Sequence, residues 1–317
     1  MEIIRIETLN LGFETKAGFY QVLYDVNLKI EQGETFAIVG ESGCGKSMTA
    51  MSIINLLPKQ AKITSGKILF NRQNLLEFSQ KEIQKIRGRK IALIPQDPMT
   101  SLNPLFTVRE QVKEVIEMNS DIRGSAVDKR IIELFEMVKI PNAKERLRAY
   151  PHEFSGGMKQ RVIISMALAA RAELIIADEP TTALDSTVQL QIMDLLNEIK
   201  KELNTSILLI SHDLGLISNY SQTCSVMYAG HIVETAPTKE LINNPKHPYT
   251  QALINSLPNL KNNTLSSIDG QPPSIYEKIN GCSFHPRCKY ATEFCQKEFP
   301  PIREITPTHN IKCIANT

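Results

Sequence analysis

The stretch TFAIVGESGCGKSM, residues 35–48, constrains this chain more than any other. Thr35 to Val39 is mostly apolar, as suits a strand in a sheet covered on both faces. A loop with glycines at 40, 43 and 45 follows at once. A helix is predicted from Lys46 to Leu57, stopped by Pro58. Strand, glycine loop and helix in that order gather backbone N–H groups and the positive end of a helix at one point, which suits a phosphate chain. Lys46 can then reach the β- and γ-phosphates as a mobile point charge, and the Ser47 hydroxyl can ligate Mg2+. The candidate loop comprises Gly40, Glu41, Ser42, Gly43, Cys44, Gly45, Lys46, Ser47 and Met48. Cys44 occupies a free position of the pattern and reads as structurally neutral.

Bulk properties narrow the function classes. With 317 residues, 42% apolar and 22% charged, the chain is globular material for one large domain or two smaller ones. A formal charge of +2 sets up no strong field toward nucleic acid or lipid headgroups. The longest largely apolar run, Val162 to Ala170, is about half of what a bilayer crossing needs. MEIIRIETLN has no basic stretch followed by a long apolar block, so it does not read as a secretory signal. The expected location is the cytosol, or a surface facing it. Six cysteines in a reducing compartment are not expected to pair. Four of them, Cys282, Cys288, Cys295 and Cys313, crowd into the end of the chain.

Periodicity outlines an α/β fold. Ile3–Leu9 and Val22–Ile30 read as strands of an early β region, with Gln32-Gly33 turning the chain into the strand before the glycine loop. Further strands are expected at Lys67–Phe70, Ile91–Ile94, Leu174–Asp178 and Ser206–Ser211. From Thr107 to Arg148 the apolar spacing is helical, and MKQRVIISMALAAR and Val188–Leu203 are predicted helices. Apolar strands alternating with helices imply right-handed parallel crossovers, hence an α/β core with a helical insertion. Beyond Pro237 prolines multiply and periodicity fades, which places a boundary between residues 1–236 and 237–317.

Strand ends carry the remaining chemistry. Asp178 closes LIIAD, where open α/β sheets bind ligands, and can complete a Mg2+ shell. Glu179 follows it and can polarise an attacking water. His212 ends SILLIS and could reach a γ-phosphate; a lone histidine at a strand end is usually structural, but its register with the other two strand-end sites reverses that reading. Gln96, in IPQDP, could sense Mg2+ or water, or simply solvate a turn. Adenine would stack on an aromatic ahead of the loop. Phe13, Phe19 and Tyr20 are the candidates and Tyr20 is favoured, against the ordinary fate of an aromatic, which is the core.

FSGGMKQR, from Phe154 to Arg161, adds a second anion-binding helix start with no catalytic group beside it. The ordered set GESGCGKS, IPQDP, FSGGMKQR, LIIADEP, TTALD and SHD resembles the ATP-binding subunits of ABC transporters, over roughly residues 1–235. The resemblance implies a RecA-like P-loop core, an N-terminal antiparallel β subdomain and an α-helical subdomain over about 100–170. It further implies that Ser155, Gly156 and Gly157 bind the γ-phosphate of a nucleotide held by a second ATPase subunit, sister or self. Two ATP molecules are then shared between two such domains, and Ala183, Leu184 and Asp185 cross their interface. Lys46, Gln96, Glu179 and His212 would be the catalytic set. One departure stands in the second motif: the usual glutamine after SGG is Met158, whose side chain cannot reproduce the amide's hydrogen bonds.

NPKHPYTQALINSLP followed by CSFHPRCKYATEFC and Cys313 resembles the C-terminal extension of peptide-transporter ATPases, which import oligopeptides, dipeptides or nickel complexes. The expected protein is therefore an importer ATPase on the cytoplasmic face of two membrane permeases, served by an extracytoplasmic binding protein. Soluble ABC proteins are the rival class, but they carry two cassettes or a long coiled coil. The four tail cysteines lack CxxC spacing. Four thiolates could ligate an iron–sulfur cluster or a tetrahedral zinc, with His285 or His309 replacing one in the zinc case, or could remain free. The resemblance implies a [4Fe–4S] cluster. Cys224 reads as an ordinary buried residue.

Overall fold

A computed structural model describes residues 1–182, 184–257, 268–277 and 279–315. In chain order the strands are β1 (Glu2–Thr15), β2 (Gly18–Glu31), β3 (Thr35–Val39), β4 (Ala61–Phe70), β5 (Gln73–Asn74) and β6 (Ile91–Ile94). They continue with β7 (Leu174–Asp178), β8 (Ser206–Ser211), β9 (Thr223–Tyr228), β10 (His231–Pro237), β11 (Arg303–Thr306) and β12 (His309–Ile311). The chain forms two compact units, Met1–Glu77 with Leu209–Thr317, and Phe78–Leu208.

In the first unit β1, β2, β4 and β5 make an antiparallel sheet in the order β2-β1-β4-β5. Ile4, Ile6, Leu9 and Leu11 of β1 and Leu23, Val26 and Ile30 of β2 are fully buried. Both strands run past the apolar segments that the sequence marks, because the polar tip from Phe13 to Tyr20 pairs as a hairpin. β3 is buried at every position and lies parallel to β9, as a strand without polar alternation should. β10 folds back antiparallel on β9, and β12 and β11 extend that edge. The helix after the glycine loop, Lys46–Ile53, stops short of the expected Leu57. Asn55 turns left-handed at φ 51°, and Leu56 N–H closes the turn on the Met51 carbonyl at 2.9 Å, before Pro58 is reached.

In the second unit β6 and β7 pair in parallel, Ile91 opposite Leu174. The crossover between them carries the helical subdomain, chiefly Val108–Asn119, Ser125–Met137 and Gly156–Ala170. Thr107 and Glu110 form a reciprocal capping box that starts the first of these. Among the described residues no helix is long and apolar enough to cross a membrane.

The tail is fastened to the rest of the first unit by a buried hydrogen-bonded network. His309 Nε2 lies 2.7 Å from Glu234 Oε1, and its Nδ1 lies 2.9 Å from Glu240 Oε1. Glu234 also accepts the backbone N–H of Lys246 at 2.7 Å and of His247 at 2.9 Å. Glu234 and His309 are both fully buried. Removing one partner of such a pair strands the other in an apolar medium. His309→Ala is therefore expected to cost about 3 kcal/mol, read as a lower urea midpoint, with the tail becoming the first site of proteolysis. An unchanged midpoint would show that the network is not a fastening.

Candidate nucleotide site and cysteine pocket

The glycine loop joins β3 to the Lys46–Ile53 helix, and close backbone contact shapes it. A Cβ on Gly40 would stand 2.1 Å from the Met227 carbonyl oxygen, and one on Gly45 would stand 2.7 Å from Leu23 Cδ2. Gly43 and Gly45 have φ of 78° and 109°, values that side chains resist. The Cys44 carbonyl accepts Gly230 N–H at 2.9 Å. Its side chain is buried, as a structurally neutral residue can be, and burial pushes its thiol up. Lys46 is 4% exposed, and its ammonium donates to the carbonyls of Gly40 at 2.8 Å and Glu41 at 3.0 Å. The cation is thus held at the loop by contacts that a phosphate chain could replace. Tyr20 lies on β2 shortly before Leu23, the residue packed against Gly45, and its ring meets Tyr276 edge to face at 5.0 Å. Phe19 is half-exposed and its ring covers Gly12.

The carboxylates stand in the second unit. Asp178, 2% exposed, ends β7. Glu179 follows in a left-handed conformation, φ 46°, strained for a residue with a side chain. Its Oε2 accepts Gln96 Nε2 at 2.9 Å and the Thr182 hydroxyl at 3.0 Å. Gln96 and Glu179 are 83 residues apart in sequence, and parallel pairing of β6 with β7 brings their strand ends together. His212 follows β8 and is exposed.

Ser155 is the N-cap of the Gly156–Ala170 helix, its hydroxyl accepting the Met158 N–H at 3.3 Å. Met158 contributes that backbone N–H whatever its side chain, so the departure at this position leaves the donor in place. Ser155 is exposed, with Gly156 and Gly157 half-buried. A Cβ on Gly157 would stand 2.8 Å from Val188 Cγ1, so the glycine lets the Ser186–Leu203 helix pack close. Asp185 caps that helix through Val188 N–H at 3.0 Å, Leu184 lies beside Gly156, and Ala183 lies outside the described residues.

In the tail, Cys282, Cys288, Cys295 and Cys313 line one small pocket, together with His247, Phe284 and His285. Gly281, at φ 68°, lets the Cys282 loop press on the Cys295 carbonyl, which accepts Cys282 N–H at 2.8 Å. Burial, and then the neighbouring cysteines, push the Cys282 thiol up to about 11. His247 is 1% exposed, and burial holds it neutral, lowered to about 3. Its Nδ1 accepts Tyr249 N–H at 3.1 Å, so the ring proton sits on Nε2, which has no hydrogen-bond partner. Among the described residues no group of three or more His, Cys, Asp or Glu side chains is arranged to hold a metal ion. His309, expected as an alternative zinc ligand, is excluded from that role, since Glu234 and Glu240 occupy both ring nitrogens. Cys224 is fully buried core on β9, as expected.

Comparison with known proteins decides the family. Residues 23–182 match the family model described as ABC transporter, and residues 233–295 match the one described as oligopeptide/dipeptide transporter, C-terminal region. The chain belongs to the ABC transporter family. It is 44% identical over 98% of its length, and 88% of theirs, to the oligopeptide transport ATP-binding protein OppD of Bacillus subtilis. It is 42% identical to the dipeptide transport ATP-binding protein DppD of the same organism, over 98% of this chain and 94% of that one. Among solved structures it resembles a dimeric ATP-binding cassette in a post-hydrolysis state bound to ADP and Pi. That match has a TM-score of 0.67 and 27% identity, over 74% of this chain and 98% of the other. The cassette fold expected from the motifs, a P-loop core with an antiparallel β subdomain and a helical subdomain, is the fold of this ABC protein.

Sequence reasoning missed what surrounds Glu41. Arg287 and Tyr249 of the tail reach this loop residue across 246 and 208 positions of sequence. Its only local sign is an arginine standing directly before Cys288. Gly40 generates the sharpest test of the ABC loop. Gly40→Ala should cost at least about 2 kcal/mol through overlap and backbone strain, read as a lower melting temperature together with lost ATP binding. Wild-type values for both would mean that the contact with Met227 does not shape the loop.

Proposed function

We propose that this chain is the ATP-hydrolysing subunit of an ABC importer for oligopeptides or dipeptides. The observation that carries this reading is the union, in one chain, of the cassette and the oligopeptide/dipeptide transporter C-terminal region, matched nearly end to end by peptide-transport relatives. Residues 1–236 would form the ATPase domain, with its helical part over about 100–170, and residues 237–317 the extension. The chain works at the cytoplasmic face of two permeases, paired with a second ATPase subunit and fed by a binding protein outside. Exposed Met99, Leu105 and Phe106, shortly after Gln96, offer apolar surface for a permease to cover.

Each motif has a stated role in the cycle. Loop N–H groups and the start of the Lys46–Ile53 helix hold the phosphates, while Lys46 exchanges the carbonyls of Gly40 and Glu41 for phosphate oxygens. Tyr20 stacks on adenine. Ser47, Asp178 and Gln96 would hold Mg2+, which supplies charge neutralisation on the phosphates. The buried Asp178 carboxylate fits that need for a fixed anion. Glu179, oriented by Gln96 and Thr182, takes the proton of the attacking water. His212 contacts the γ-phosphate. Ser155, Gly156 and Gly157 serve the nucleotide of the second subunit, a role that the exposure of Ser155 suits. Glu179→Gln keeps the amide contacts and removes the base. It should leave the ATP KM within about threefold and lower kcat more than about 100-fold, and it should lock a closed dimer. Near-normal turnover would remove Glu179 from its role.

In the tail, Cys282, Cys288, Cys295 and Cys313 would hold a [4Fe–4S] cluster. A tetrahedral zinc needs four sulfurs about 2.3 Å from one point, whereas a cluster carries each thiolate on its own iron and accepts a wider spread. What supports the reading is that the four cysteines line one pocket, with an orphaned His247 Nε2 on its wall. Such a group would supply a rigid link among four distant chain positions. Protein purified without oxygen should be brown, with a broad band at the visible–ultraviolet edge that Cys288→Ser removes. Colourless protein with stoichiometric zinc would refute the cluster.

A further inference from the structure

Glu41 is the second residue of the phosphate loop, and three of its polar groups are held by named partners. Its carboxylate meets the Arg287 guanidinium as a fork, Nη1 to Oε2 at 2.8 Å and Nη2 to Oε1 at 3.1 Å. Its backbone N–H donates to the Tyr249 hydroxyl at 3.0 Å. Its carbonyl accepts the Lys46 ammonium at 3.0 Å. Arg287 and Tyr249 belong to the tail, within HPRC and HPYT respectively.

The clamp is itself fixed from behind. The Arg287 side chain is 5% exposed, its Nε donates to the Asp269 carbonyl at 2.9 Å, and its Nη1 reaches the Tyr228 hydroxyl at 3.3 Å. The guanidinium lies 5.8 Å from the Tyr228 ring centroid and 5.9 Å from that of Phe284. Tyr249 is fully buried, with its ring 4.6 Å from Tyr228 and 5.3 Å from Phe284. A bidentate arginine fork fixes direction as well as distance, so it sets where the loop backbone runs. It also cancels a carboxylate that would otherwise repel an incoming triphosphate in a poorly solvated corner.

We propose that Arg287 and Tyr249 are positioning residues for ATP: acting through Glu41, they hold the phosphate loop in its binding shape, so the cysteine-bearing tail sets the affinity for nucleotide. This rests on the reading of residues 40–47 as the phosphate loop.

The test uses the assembled transporter, with ATP turnover and equilibrium binding of a fluorescent ATP analogue as readouts. Arg287→Met should raise the ATP KM about tenfold while kcat changes less than about threefold. The discriminating variant is Arg287→Lys, which keeps a positive charge beside Glu41 but cannot form the fork. It should still raise KM about fivefold with kcat nearly unchanged, whereas a role limited to cancelling charge would leave KM at the parent value. Tyr249→Phe, which removes one oxygen, should raise KM about threefold, and it decides the matter if Arg287→Met does not assemble. An Arg287→Met or an Arg287→Lys KM within twofold of the parent overturns the proposal. Lys46→Ala separates the two levels. If it still binds the analogue normally, the phosphate-loop reading has failed. If it abolishes binding while Arg287→Met and Tyr249→Phe do nothing, only the positioning role has failed.

Discussion

The nucleotide-binding half of this protein depends on backbone pressed against backbone. Gly40 approaches the Met227 carbonyl too closely for any side chain, and Gly45 lies close under the Leu23 side chain. β9 fixes where the loop begins and β2 where it ends. The hydrogen bond from Gly230 N–H to the Cys44 carbonyl closes the middle. That arrangement needs β3 beside β9 in parallel register, Val39 opposite Val226, and so it needs the continuous apolar run that buries β3 at every position. The loop is a consequence of the sheet, and Gly40 and Gly45 are the places where the sheet leaves no room.

Charge governs the second layer. Three carboxylates among the described residues join the tail to the rest of the first unit: Glu41 takes Arg287, Asp25 takes Lys312, and Glu234 takes His309 with two backbone N–H groups. Buried ion pairs contribute little net stability compared with apolar packing, because desolvation offsets their attraction. What they do well is forbid alternatives, since a displaced tail would leave a carboxylate buried and unpaired. The tail could adhere through Phe284 and Phe299 alone. The charges decide in which register it adheres, and one of those registers passes through the phosphate loop.

Much of this was legible in the sequence, and the exceptions have physical causes. β3, β6, β7 and β8 fall where apolar runs place them, because a strand covered on both faces has no other way to be written. The motifs located the loop, Asp178, Glu179 and the Ser155 helix start for the same reason: each needs its residue types in consecutive positions. The hairpin tip of β1 and β2 escaped because cross-strand pairing, not apolarity, holds it. β11 and β12 escaped because REIT and HNI are short and borrow their pairing from β10. The clamp on Glu41 is a contact across most of the chain, and periodicity carries no information at that range. His309 reads as a metal ligand when seen alone; only the fold reveals the two glutamates around it.

A common economy links the three anion-facing groups. Lys46 rests on the carbonyls of its own loop, Ser155 on the N–H of Met158, and Glu179 on Gln96 and Thr182. Each group is held by hydrogen bonds within the protein, so its position is set by neighbouring residues of the chain. Glu41 supplies one of the two carbonyls on which Lys46 rests, and the tail fixes the position of Glu41. Whatever orders the tail therefore bears, through Glu41, on where Lys46 is held.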